Sequence, residues 1–89
     1  MRTSSAETLA LKALGFLATD SEALVRFLRI SGLEIEDLRM RAGDPDVLAG
    51  VMDYLLADDK LCEAFVNAEQ INPQELHAAR RALPGIAPE

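Results

Sequence analysis

Cys62 and His77 are the only cysteine and the only histidine of this 89-residue chain, so nucleophilic catalysis would depend on this pair. A thiol becomes a strong nucleophile when a neighbouring base takes its proton, which requires the fold to bring the two side chains together. The local sequence favours a structural cysteine instead, because Leu61 and Phe65 flank it on the same predicted helix and small buried thiols are common in such places. We expect Cys62 to be structural.

A metal site would have to add carboxylates such as Asp58, Asp59 or Glu63 to this pair. The chain has no C-x-x-C, H-x-x-x-H or calcium-loop spacing, and paired aspartates at the start of a predicted helix are typical of caps. Its five glycines form neither of the glycine-rich phosphate-binding motifs. We therefore expect no metal, no cofactor and no catalytic residue.

A DNA-binding reading rests on the second and third predicted helices, which are joined by a turn containing Gly32 as in a helix-turn-helix. Against it stand acidic residues in the first turn of the would-be recognition helix (Glu34, Glu36 and Asp37), where phosphates would be met. Nucleic acid is therefore a disfavoured partner. The basic patch of this alternative would comprise Arg26, Arg29, Arg39 and Arg41.

The net charge of −6 is concentrated in the second half of the chain, where residues 44–75 contain eight acidic residues and only Lys60 as a base. Such a surface favours a basic protein partner. We also expect apolar side chains off the main helical stripes to be accessible, namely Leu11, Leu33, Leu56 and Ile71. The candidate partner surface is Asp53, Leu56, Asp58, Asp59 and Glu63.

Helix caps and apolar stripes recur along the whole chain, which predicts an all-α fold. We expect one domain over 1–89, a compact bundle of five or six short helices that is orthogonal rather than long up-and-down, with 1–4 and 84–89 frayed. The fourth helix should be central. The glycines inside helices, Gly15 and Gly50, should mark close helix–helix contacts. The predicted helices cover about 6–18, 21–31, 35–42, a fourth from Pro45, a fifth from Asp58 or Asp59, and 73–83. A Ser4–Glu7 capping box precedes the first helix. The inward residues are Ile35, Leu38 and Ala42 on the third helix and Leu61, Cys62, Phe65 and Ala68 on the fifth.

Five segments stand out along the chain: Leu9-Ala-Leu-Lys-Ala-Leu-Gly-Phe-Leu-Ala, Gly32-Leu-Glu-Ile-Glu-Asp-Leu-Arg, Ala42-Gly-Asp-Pro, Asp53-Tyr-Leu-Leu-Ala-Asp and Ala82-Leu-Pro-Gly. Together they resemble a family of small uncharacterised bacterial proteins, domain-of-unknown-function family 3572. The resemblance would cover nearly the whole chain and implies a compact helical fold and a bacterial cytoplasmic origin. It implies no activity, cofactor or site residue.

The function that these observations favour is a non-enzymatic protein-interaction module with an acidic face. Its partner would be a protein with a basic amphipathic segment, or a second copy of the chain. A helix-turn-helix regulator and a small enzyme using Cys62 or carboxylates remain the alternatives. A cytoplasmic location is expected, because one cysteine cannot form an internal disulfide, Lys12 interrupts the apolar stretch 9–18 that could suggest a signal peptide, and no stretch is long enough to span a membrane.

Overall fold

Six α-helices and no strand make up residues 2–83, the part of the chain that the computed structural model describes. The predicted all-α fold is confirmed. The Cα atoms span 30 × 24 × 24 Å. The predicted tail 84–89 and Met1 lie outside the described residues. The helices are α1 (Thr3–Ala18), α2 (Ser21–Ser31), α3 (Ile35–Met40), α4 (Pro45–Leu56), α5 (Asp59–Glu69) and α6 (Pro73–Ala82).

Short polar side chains begin four of the helices, as the sequence predicts. Asp20 accepts a hydrogen bond from the Ala23 amide at the start of α2, and Asp58 does the same for Leu61 at α5. Each bond satisfies a backbone donor that has no partner within the helix. Asp44 and Asn72 cap α4 and α6, each followed by proline at the first helical position.

The amino-terminal end of α1 differs from the prediction. The helix begins at Thr3 rather than Ala6, so residues 3 and 4 are helical rather than frayed, and Ser4 lies inside the helix where it cannot act as a cap. The Thr3 hydroxyl donates to the Ala82 carbonyl at 3.4 Å, which ties this end of α1 to the end of α6. The helix therefore starts before the local capping signal, at a point where it also contacts α6.

Gly32 ends α2 in the left-handed conformation, with φ of 76°, as predicted. The following α3 has only six residues and ends at Met40, two residues earlier than expected. Leu38 is buried, but Ile35 is 42% exposed, so the prediction that Ile35 points inward is wrong. A helix of fewer than two turns can direct only one side chain fully into the core.

The core is a single cluster to which all six helices contribute. α4 packs against α1, α2, α5 and α6, which confirms its predicted central place, and α1 lies beside it in contact with α2 and α6. On α5 the buried residues are Phe65 and Val66, whereas Ala68, predicted to be inward, is exposed. The largest fully buried side chains are Phe27, Phe65, Leu17, Leu48, Met52, Leu55, Leu76 and Val51.

The two glycines inside helices do not mark close helix contacts, contrary to the prediction. A Cβ atom added at Gly15 or at Gly50 would meet no heavy atom of another helix within 4 Å. Glycine in a helix interior costs about 1 kcal/mol relative to alanine. The fold itself offers no packing that offsets this cost at either position.

Candidate partner-binding groove

A groove runs between α2 and α4 along most of the length of α4, and it is apolar near the carboxyl end of α4 and of mixed polarity near the amino end. One stretch of about 300 Å³ and a neighbouring stretch of about 330 Å³ share Phe27, Ser31 and Gly50 in their walls, so the two are continuous. The first is lined almost entirely by apolar atoms. Its lining residues are Phe27, Ile30, Ser31, Gly50, Asp53, Tyr54 and Ala57.

Helical spacing explains why these α4 residues share one face. Asp46, Gly50, Asp53 and Ala57 lie at positions i, i+4, i+7 and i+11, which recur on one side of an α-helix. This is the side opposite the core-facing residues of α4. Two of the four, Gly50 and Ala57, have no side chain beyond Cβ, which leaves open space on this side of α4.

Aromatic rings pack against each other in the wall between the two helices. Phe27 and Tyr54 meet edge to face with ring centroids 5.6 Å apart, a preferred geometry for aromatic pairs. Phe27 is buried, whereas Ile30, one turn along α2, is 74% exposed at the rim. An apolar side chain this exposed beside an apolar groove marks a surface that a partner can cover.

Asp53 joins the groove to α6 through an ion pair. Its Oδ1 accepts a hydrogen bond from Nε of Arg80 at 2.6 Å, and the Arg80 side chain is only 10% exposed. Arg80 also donates from Nη1 to the Leu83 carbonyl at 3.5 Å. Within residues 2–83, the other Asp53 oxygen has no hydrogen-bond partner, and the Asp53 side chain is 46% exposed. Asp46 is exposed and forms no ion pair there.

The predicted acidic surface is divided between two places. Asp53 lies in the α2–α4 groove, whereas Asp58 caps α5 and borders another groove with Lys60 and Arg26. Asp59 and Glu63 are exposed on α5. Leu56 is half-buried and packs against the core.

The other three side chains predicted to be accessible also divide. Leu11 is 44% exposed, whereas Leu33 and Ile71 are half-buried against the core.

The four predicted arginines lie on the surface but do not share one common groove. Arg26 and Arg29 line one along α2, Arg39 lines one between α1, α2 and α3, and Arg41 lines the end of the α2–α4 groove. Arg41 is also paired with Asp44 at 3.3 Å. With only six residues and two acids in its first turn, α3 has little length and unfavourable charge for reading DNA.

Cys62 is half-buried on α5, packed against the core, and His77 is exposed on α6. No hydrogen bond joins them. Burial raises the pKa of the Cys62 thiol, and the nearby Asp59 carboxylate raises it further. Both effects disfavour the thiolate, which is the nucleophilic form.

The described residues contain neither a metal-binding cluster nor a membrane-spanning helix. Among residues 2–83, no three His, Cys, Asp or Glu side chains converge in a way that could hold a metal ion. None of the helices in this part of the chain has the length and apolar character needed to cross a membrane.

Ile30, Gly50 and Arg80 are the residues of the groove region that sequence reasoning missed or misread. Ile30 is an apolar residue off the buried stripe of α2, a signal that could have identified it. Gly50 was noticed but assigned to packing inside the fold. Nothing in the sequence near Arg80 indicates that it would be buried against Asp53, because the two are 27 residues apart.

Comparison with known proteins identifies a family but no activity. No curated protein and no solved structure matches the chain. A family model described as "Protein of unknown function (DUF3572)" matches residues 3–86, which include all six helices and every residue of the groove. The chain therefore belongs to this family, as the resemblance of its capping and packing segments predicts.

Proposed function

We propose that this protein is a non-enzymatic interaction module whose α2–α4 groove binds the apolar face of a partner helix with basic flanks. The observation that carries the proposal is the open apolar groove, with Ile30 exposed at its rim and Gly50 in its floor. Helices commonly bind proteins by laying an apolar face into such a groove.

The energetic argument rests on apolar surface that the monomer leaves in water. Covering apolar surface contributes about 25 cal/mol per Å², so burying the exposed side chain of Ile30 and the accessible part of the Tyr54 ring would contribute to the binding free energy. The ring pair is already held in place. Little of that energy would be lost in ordering the groove on binding.

The charge of the surroundings supports a basic partner. Asp46 and Asp53 both border the groove, Arg41 at its end is paired with Asp44, and the chain as a whole has a net charge of −6. Opposite charges at the rim of an interface raise the association rate and select the partner more than they add affinity. Asp59 and Glu63 on α5 extend the acidic field beyond the groove.

A bacterial cytoplasmic setting is part of this proposal. It is supported by the family resemblance and by the single cysteine, which suits a reducing compartment.

Binding of a designed amphipathic peptide tests the proposal. The probe is a fluorescently labelled peptide of about 14 residues, long enough for roughly four helical turns, with a leucine face and lysines on both sides. We expect saturable binding by fluorescence anisotropy and its loss in Ile30→Asp. The matched control is Met40→Asp, because Met40 is 85% exposed on α3 but lines no part of this groove.

Equal binding by the wild type and by Ile30→Asp, with both folded by circular dichroism, would overturn the proposal. Self-association is the competing use of the same surface, because a second copy could also cover Ile30. Light scattering over a concentration series decides between them. A dimer that Ile30→Asp abolishes, and that excludes the peptide, would assign the groove to a homodimer contact instead.

A further inference from the structure

Two charged side chains of the groove, with an open space between them, constrain how a partner helix can lie in it. Asp46 and Asp53 are seven residues apart on α4, so their Cα atoms are separated by about 10 Å along the helix axis. Gly50 lies between them, and the space above it is empty. Two carboxylates therefore flank one site of close approach.

Resting on the proposed function, we infer that the groove binds a partner helix in one register, with an apolar side chain over Gly50 and two basic residues, seven positions apart, beside Asp46 and Asp53. Helical residues seven apart return to nearly the same face, so the spacing on the partner matches the spacing on α4. The pattern is the same in both directions, so it selects a spacing rather than a chain direction.

Three features of the described residues support this register. The unpaired oxygen of Asp53 is available while its Oδ1 remains bound to Arg80, so the ion pair positions the carboxylate without consuming it. Asp46 forms no ion pair within residues 2–83. Gly50 is a helix-interior glycine with no heavy atom within 4 Å of an added Cβ, so the side chain of an outside helix can approach α4 closely there.

Filling the space above Gly50 tests whether an apolar side chain of the partner helix binds there. Gly50→Leu should weaken peptide binding by more than about tenfold, because the new side chain occupies the floor of the groove. Gly15→Leu is the matched control, since Gly15 also lies inside a helix with nothing within 4 Å but borders no part of this groove. Equal binding by both variants would overturn this part of the inference.

Charge reversal tests the register. Asp46→Lys should weaken binding of a peptide with lysines seven apart by about threefold or more at low salt, where exposed charges are least screened. Replacing the facing lysine of the peptide by glutamate should restore binding to Asp46→Lys and weaken binding to the wild type. The control is Glu75→Lys, which reverses an exposed acid in the first turn of α6 that borders no part of this groove.

Peptides of identical composition complete the test. Lysines five apart fall on different sides of a helix, so this peptide should bind about threefold or more weaker than the one with a spacing of seven. Equal affinity for both spacings, with no rescue of Asp46→Lys, would overturn the proposed register. If Ile30→Asp still abolished binding in that case, the proposed function would remain intact. Failure of every peptide to bind the wild type would overturn both.

Discussion

At the scale of single residues, Cys62 illustrates how packing sets chemical reactivity. Its sequence neighbours predict a structural thiol, and the half-buried site beside Asp59 raises its pKa. Fewer thiolates are therefore present at neutral pH than for a free cysteine. We expect Cys62 to react with a thiol reagent more slowly than a cysteine in a short peptide at pH 7, with the difference narrowing as the pH rises above the pKa.

The labelling rate is measured by absorbance with a thiol reagent that releases a chromophore when it reacts. The urea-unfolded protein serves as the control. Native labelling at pH 7 that is as fast as labelling of the unfolded chain would contradict the structural role and restore Cys62 as a catalytic candidate.

We expect the Asp53–Arg80 ion pair to contribute more to the free energy of unfolding than the Lys12–Glu69 pair does. Removing the carboxylate in Asp53→Ala leaves the buried Arg80 guanidinium without its partner, so we expect a loss of about 1–3 kcal/mol in the free energy of unfolding. Asp53 is 46% exposed, and solvent can partly replace it. Urea unfolding measures the change.

Glu69→Ala is the matched comparison, because it removes the Lys12–Glu69 contact, which is 3.8 Å long and largely in water. Exposed pairs contribute about 0–1 kcal/mol. If both variants lost the same small amount, the burial of Arg80 would not be important for stability.

At the scale of helices, the two interior glycines destabilise their helices, and no close packing contact inside the fold requires a glycine at either position. Both lack neighbours within 4 Å of an added Cβ, so Gly15→Ala and Gly50→Ala should each stabilise the fold by up to about 1 kcal/mol. Thermal or urea unfolding measures this effect. Destabilisation by either variant would mean that a close packing contact exists there after all.

Helix boundaries followed local signals wherever a cap and a stripe agreed. Asp44-Pro45 and Asn72-Pro73 each combine a capping side chain with proline at the first helical position, and both begin helices as predicted. The Ser4–Glu7 capping box failed because α1 starts at Thr3, where its end contacts Ala82. α3 ended early because its short stripe buries only Leu38.

At the scale of the whole molecule, net charge predicts how the protein treats polyanions. A protein with a net charge of −6 and separated arginines releases few counterions from a phosphate or sulfate backbone. We expect it to pass through heparin at low salt without retention and to bind an anion exchanger. Retention on heparin that falls steeply with added salt would instead support the helix-turn-helix alternative.

The sequence alone determined the fold class, most helix starts and most of the core, because caps and apolar periodicity act between residues a few positions apart. It also indicated an acidic surface. The tertiary structure decided where the acids lie, placing Asp53 in a groove with Ile30 and Gly50 and Asp58 at the start of α5. It buried Arg80 beside Asp53 and left Ile35 exposed. These outcomes depend on how α2, α4 and α6 pack together, and local spacing carries no information about distances between helices.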